Sequence, residues 1–179
     1  MTHQFVVSAP NRDPLLWHPL VIQRWALLQP ALEHALGCRV VVNEGYRPDA
    51  RQQWLYGQGR TPEQLRAKGL DAILARPGLV ATNAWSAKTS AHGFVLPICT
   101  EVWPDGVPAS CALDLLVMGK DNVPWTKDDP WDQFVALTTD QGLLARIGLV
   151  HFHATGKQVW DRPHIQLIEY SDLLHNLLI

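Results

Sequence analysis

The sequence predicts an α+β fold in one domain spanning residues 1–179. Helix-period and strand-like segments mix without a regular βαβ alternation, and no internal repeat appears. At 179 residues the chain can bury a sizeable core without a metal or disulfide staple. A hydrophobic fraction of 47% and a charged fraction of 18% fit an ordinary soluble globular protein.

Each element has its own local reason. Val21 to Leu36 places Val21, Ile22, Trp25, Leu28, Leu32 and Leu36 at helical spacing, with Pro30 expected to kink it and Gly37 to stop it. Arg39-Val40-Val41-Val42-Asn43 is β-branched and reads as a strand. Pro48 suits the first position of a helix over Asp49 to Gly57. Thr61-Pro62-Glu63-Gln64 resembles a capped start for a helix running through Ala75, which Arg76-Pro77-Gly78 would end. Leu79 to Thr82 and Ala112 to Val117 look like strands. Gly93 to Ser110, with Pro97, Pro104, Gly106 and Pro108, is too long for an ordinary connection and reads as a functional loop or inserted hairpin. Pro130 to Ile147 reads as a helix with Trp131, Phe134, Val135, Leu144 and Ile147 inward. Gly148 to Phe152 and Ile165 to Ile168 close the chain as strands.

Composition excludes several classes of function. A net charge of −2, with no Lys/Arg run, gives no electrostatic case for nucleic acid. No window approaches the roughly 18 apolar residues of a membrane span, so no membrane insertion is expected. Met1 to Val7 lacks a basic n-region and an apolar h-region, so the protein is expected to be made in the cytoplasm without a standard signal peptide. Cys38, Cys99 and Cys111 are an odd count without Cys-x-x-Cys spacing and read as reduced thiols, although Cys99 and Cys111 could pair across a hairpin.

Chemistry concentrates in a few places. Asp161-Arg162-Pro163-His164 puts a carboxylate three residues before an imidazole that opens the apolar run Ile165-Gln166-Leu167-Ile168. His92 lies in a polar loop flanked by Gly93, and Asp114 interrupts the apolar run Ala112 to Val117. Inside a core, an unpaired carboxylate costs several kcal/mol, on the order of 3–5, so an inward Asp114 needs a partner or a metal. The alternative is an outward aspartate on a half-exposed strand. Two histidines and a carboxylate form the shell of a hydrolytic zinc site with a fourth position for water. Asp161 would then take a proton from that water and return it to the leaving amine, or else be a turn residue before Pro163. Arg47, at the turn after the Val-rich strand, suits a carboxylate or a developing oxyanion, with a surface salt bridge as the plainer alternative.

Gly45-Tyr46-Arg47, Gln58-Gly59-Arg60-Thr61, Thr82-Asn83-Ala84, Ser90-x-His92, Ala112-x-Asp114, Ile147-Gly148-Leu149 and Asp161-x-Pro163-His164 occur in order. As an ordered set they resemble the zinc D,D-peptidase and L,D-endopeptidase family, peptidase family M15. The nearest resemblance is to phage endolysin L-alanyl-D-glutamate peptidases and D-alanyl-D-alanine carboxypeptidases, over about residues 40–167. It implies a small α+β domain with a central antiparallel sheet flanked by helices. It further implies a Zn2+ cofactor held by His92, Asp114 and His164, with Asp161 as general base. Arg47 would stabilise the transition state, and Ser90 and Tyr46 would contact substrate, a peptidoglycan stem peptide cut beside a D-residue.

Two departures stand out. The family pattern Ser-x-His-x-x-Gly-x-Ala-x-Asp sets histidine and aspartate close together, whereas a long insertion separates His92 from Asp114 here. Asp105 and Glu101 are the other carboxylates in the interval. The family's frequent Trp-Gly-Gly is replaced by His151-Phe152-His153-Ala154-Thr155-Gly156, whose two histidines share a strand face and could be ligands or substrate contacts. An L-alanyl-D-glutamate endopeptidase is the leading expectation, as an endolysin or a wall-lytic effector that reaches the cell wall by release or dedicated export. A D,D-carboxypeptidase is the alternative within the family, and a non-catalytic peptidoglycan-binding module the alternative outside it. A monomer, with an immunity protein or a holin system as associated partner, completes the expectation.

Overall fold

The computed structural model describes residues 6–82, 90–93, 109–126, 128–140, 142–151, 154–155, 158–159 and 162–169. Asp161, Asp105, Glu101, Cys99 and His153 therefore lie outside the described residues, as do 94–108 of the expected insertion.

A 3-10 turn, Pro14–Leu16, leads into α1, Pro19–Leu36. His18 caps α1 by accepting from the Leu20 N–H, the helix continues past Pro30, and Gly37 ends it in the left-handed conformation at φ 62°. Then come β1 (Arg39–Glu44), α2 (Asp49–Tyr56) and α3 (Pro62–Arg66). After the insertion follow β2 (Ala112–Met118), α4 (Trp131–Val135), a π-helical turn over Ala136–Asp140 and α5 (Leu143–Arg146). The chain closes with β3 (Leu149–Val150), β4 (Ala154–Thr155), β5 (Gln158–Val159) and β6 (His164–Leu167).

Four strands form one sheet in the order β1-β2-β6-β3, every pair antiparallel, while β4 and β5 pair separately. This is the α+β architecture with a central antiparallel sheet that the sequence predicts. Side chains alternate across a sheet. Leu113, Leu115 and Val117 of β2 and Ile165 and Leu167 of β6 join Val21, Trp25, Leu28 and Leu32 of α1 in the main core. Asp114, His164 and Gln166 occupy the alternate positions and so face the other side.

A bulge in β1 completes that second face. Val42 pairs with Leu115, but Glu44 pairs with Asp114, because Asn43 is an extra residue opposite one partner position. In unbroken register Glu44 would share the core face with Val40 and Val42. The bulge re-aims it towards Asp114.

Four sequence expectations are corrected. α3 stops at Arg66 rather than Ala75, because Gly69 adopts φ 69° and the Leu70 N–H returns to Leu65 O at 3.0 Å, a Schellman-type end. Leu79 to Thr82 is not a strand: Leu79 is 90% exposed, and the segment follows Gly78 at φ 128°. The helix expected over Pro130 to Ile147 is broken in the middle. The Thr138 hydroxyl lies 2.7 Å from Phe134 O, a position that disturbs helix bonding, and Gly142 takes φ 66° before α5. Among the described residues, the strand expected over Gly148 to Phe152 is limited to β3, and Phe152 lies outside them.

Candidate metal centre

Three segments bring one ligand each. β2 supplies Asp114 and β6 supplies His164, directly across the ladder from it. His92 comes from a loop, yet its backbone is pinned on both sides. Arg47 N–H donates to His92 O at 2.8 Å, and Cys111 N–H donates to Ala91 O at 2.9 Å. The end of β1 and the start of β2 thus fix the loop that carries the ring.

The facing atoms form a small triangle. His92 Nε2 lies 3.2 Å from Asp114 Oδ1 and 3.2 Å from His164 Nδ1, and His164 Nδ1 lies 3.0 Å from Asp114 Oδ1. Ligands about 2.0–2.1 Å from a tetrahedral zinc stand about 3.3 Å apart, so this spacing fits such an ion.

Proton placement decides what the triangle is. His92 Nδ1 is 2.6 Å from Gly45 O, and a carbonyl only accepts, so Nδ1 carries the proton and Nε2 presents a lone pair. His164 Nε2 donates to Gln166 Oε1 at 3.2 Å, so Nδ1 presents its lone pair. Burial, followed by the nearby Arg47 charge, pushes the His92 pKa down and keeps the ring neutral. Burial pushes the Asp114 carboxyl up, but the Arg47 guanidinium leads the groups that hold it well below the usual range. In those tautomers two ring lone pairs and a carboxylate oxygen converge. That arrangement is repulsive unless a cation is shared, and His92, Asp114 and His164 form a group that could hold a metal ion.

Arg47 is at the site, bound to carboxylates on two sides. Its Nε donates to Glu44 Oε2 at 2.8 Å and its Nη2 donates to Asp114 Oδ2. Arg51 Nε donates to Glu44 Oε1 at 2.8 Å, so a buried Arg51–Glu44–Arg47 run ends on the ligand. With Oδ2 occupied by Arg47, Asp114 turns Oδ1 alone to the triangle. Ser90 is buried, and its Oγ accepts from the His92 N–H at 3.3 Å. Tyr46 is buried next to Arg47, and burial, helped by Asp49, raises its phenol pKa.

His151 takes a different place from the two roles foreseen for it. Its Nδ1–H donates to His164 O at 2.9 Å, and its Nε2 lies 2.8 Å from the Thr138 hydroxyl. It supports the backbone of a ligand instead of offering a lone pair to the triangle. Burial pushes its pKa down to about 4.

Sequence reasoning missed the roles of Glu44, Thr138 and Gln166. For Gln166 a signal existed: it follows His164 by two positions in a strand, hence on the same face.

No family model matches this chain, and no curated protein matches it. Solved structures do resemble it in fold. One is the L-Ala D-Glu endopeptidase ChiX of Serratia marcescens, 19% identical, with a TM-score of 0.47 over 93% of this chain and 92% of that one. Another is a mutant of the vancomycin-resistance D,D-pentapeptidase VanY from a VanB-type cassette, in complex with Zn(II). It is 17% identical, with a TM-score of 0.42 over 89% of this chain and 78% of that one. At such identities and scores neither likeness assigns an activity to this chain.

Proposed function

We propose that this chain is a zinc-dependent peptidase of the M15 type that cuts a peptidoglycan stem-peptide bond beside a D-residue, L-alanyl–D-glutamate by preference. The observation that carries the metal is the convergence of His92 Nε2, His164 Nδ1 and Asp114 Oδ1 at 3.0–3.2 Å, with the other nitrogen of each ring engaged by a carbonyl oxygen. The ordered motifs from Gly45-Tyr46-Arg47 to Asp161-x-Pro163-His164 support the substrate class. Gln58-Gly59-Arg60-Thr61, which looks like the lytic endopeptidases, favours the endopeptidase bond.

A bound zinc would supply Lewis acidity to the scissile carbonyl and to the attacking water. Asp161, three residues before His164, would take the proton of that water and pass it to the leaving amine. Arg47, the cation against Asp114, would steady negative charge that develops on the carbonyl oxygen. Ser90 accepts from the His92 N–H and so keeps its own O–H to donate to a substrate carboxylate. Tyr46, its phenol kept protonated, would donate similarly.

The test is zinc analysis of the purified protein together with mass spectrometry of digested muropeptides. Stoichiometric zinc and fragments split between L-Ala and D-Glu are the expected result. Loss of terminal D-Ala would shift the specificity to carboxypeptidase. Zinc-free protein that releases no fragments would overturn the proposal.

A further inference from the structure

We infer that Gln166 is a positioning residue of the metal centre: its buried side-chain carbonyl holds the His164 ring so that Nδ1 faces the shared ligand position. The inference rests on the reading of His92, Asp114 and His164 as a metal site, and extends it to a residue outside the ligand set.

Burial comes first. Gln166 is 2% exposed, and its neighbours across the ladder are Ala112 of β2 and Val150 of β3. An amide removed from water in that setting is unfavourable unless it is hydrogen-bonded, and a leucine would fill the same space without that cost. Here the amide oxygen accepts the His164 Nε2–H at 3.2 Å. Strand alternation puts the two side chains on one face, so the contact follows directly from the order His164-Ile165-Gln166.

The two histidines are oriented by different means. His92 is set by a main-chain carbonyl, Gly45 O, which cannot be deleted by truncating a side chain. His164 is set by a side chain, and its main-chain carbonyl is separately engaged by the His151 Nδ1–H. Ring and backbone of His164 are thus held independently, and only the ring's anchor can be altered without moving the chain.

The chemical type of the anchor matters as well. A carboxamide accepts the proton without adding charge, whereas a carboxylate in its place would add one negative charge beside a ligand and make the imidazole a stronger donor. Removing or changing an acceptor of this kind typically alters metal affinity about 10- to 100-fold.

The experiment uses the full chain as wild type, Gln166→Leu and Gln166→Glu. Zinc affinity is measured by competition with a chromophoric chelator, and Co2+-loaded protein gives a visible spectrum of the ligand field. Melting of the metal-free proteins reports whether each variant folds. Gln166→Leu should bind zinc about 10- to 100-fold more weakly with a changed Co2+ spectrum, while its metal-free melting temperature stays close to wild type. Gln166→Glu, which keeps an acceptor oxygen, should bind at least as tightly as wild type. Should the leucine variant fail to fold, the near-isosteric glutamate variant decides alone. Leucine and wild-type proteins with equal affinity, or a glutamate variant weaker than wild type, would overturn the inference and leave the metal centre standing. A wild type that binds no zinc removes both.

Discussion

Four histidines are buried among the described residues, in two kinds of setting, and they differ in what their ring nitrogens meet. His18 begins α1, where its Nδ1 accepts the Leu20 N–H. His151 lies behind β6, between His164 O and the Thr138 hydroxyl. Both give and take protons as ordinary interior side chains do. His92 and His164 sit at the face of β2 and β6, each with one nitrogen committed to a carbonyl oxygen and the other turned to Asp114. Burial is nearly the same in all four, from 1% exposed for His18 and His92 to 8% for His151. Depth alone therefore does not mark a ligand; what marks it is a lone pair aimed at another lone pair.

The sharpest way to break this contrast is to delete one histidine from each region. His164→Ala should abolish both zinc binding and muropeptide cleavage, whereas His151→Gln should retain near-stoichiometric zinc by elemental analysis. Equal zinc loss from the two variants would end the distinction. The next effect is smaller and falls on a residue outside the triangle. Asp161→Asn should keep its zinc and lose about 10²- to 10⁴-fold in cleavage rate, the usual worth of a positioned general base. Wild-type turnover by that variant would remove Asp161 from the reaction, whereas no turnover from either wild type or variant would favour a binding module over an enzyme.

Acid separates the histidines in another way. The His151 pKa is depressed to about 4 from 6.5, so between those values the unfolded chain binds a proton that the native state does not. Stability from His151 is fully present above about pH 6.5 and is lost as pH falls towards 4, by about 3 kcal/mol at most. In denaturant melts of the metal-free proteins, wild type should lose stability between pH 7 and pH 4.5 by up to that contribution more than His151→Gln does. Thr138→Val should have the smallest effect. It removes the hydroxyl facing His151 Nε2 and should cost about 1–3 kcal/mol, with zinc affinity nearly unchanged.

Much of this contrast could be read from the chain alone. The grouping of His92, Asp114 and His164 was legible because Ser90-x-His92, Ala112-x-Asp114 and Asp161-x-Pro163-His164 keep their order. The need of Asp114 for partners was legible as well, since it interrupts an apolar strand. α1, β1, β2 and β6 follow from apolar spacing and β-branched runs. What escaped was governed by single backbone angles and tertiary bonds. Gly69 and Gly142 end or interrupt helices that composition would extend, and Thr138 disturbs a helix through its own hydroxyl. The bulge at Asn43 leaves no trace in hydrophobic pattern, so Glu44 reads as the polar end of a strand and not as the anchor for Arg47 and Arg51.

The pairing of β2 with β6 has one more consequence. Asp114 and His164 stand 50 positions apart in sequence and meet only because the two strands align them as direct partners. A slip of one residue would carry one of them through to the opposite side of the sheet. Any ion held there is thus a gauge of register. It binds the correctly zipped chain, discriminates against every mispaired one, and by mass action draws the folding equilibrium towards the single alignment that can hold it.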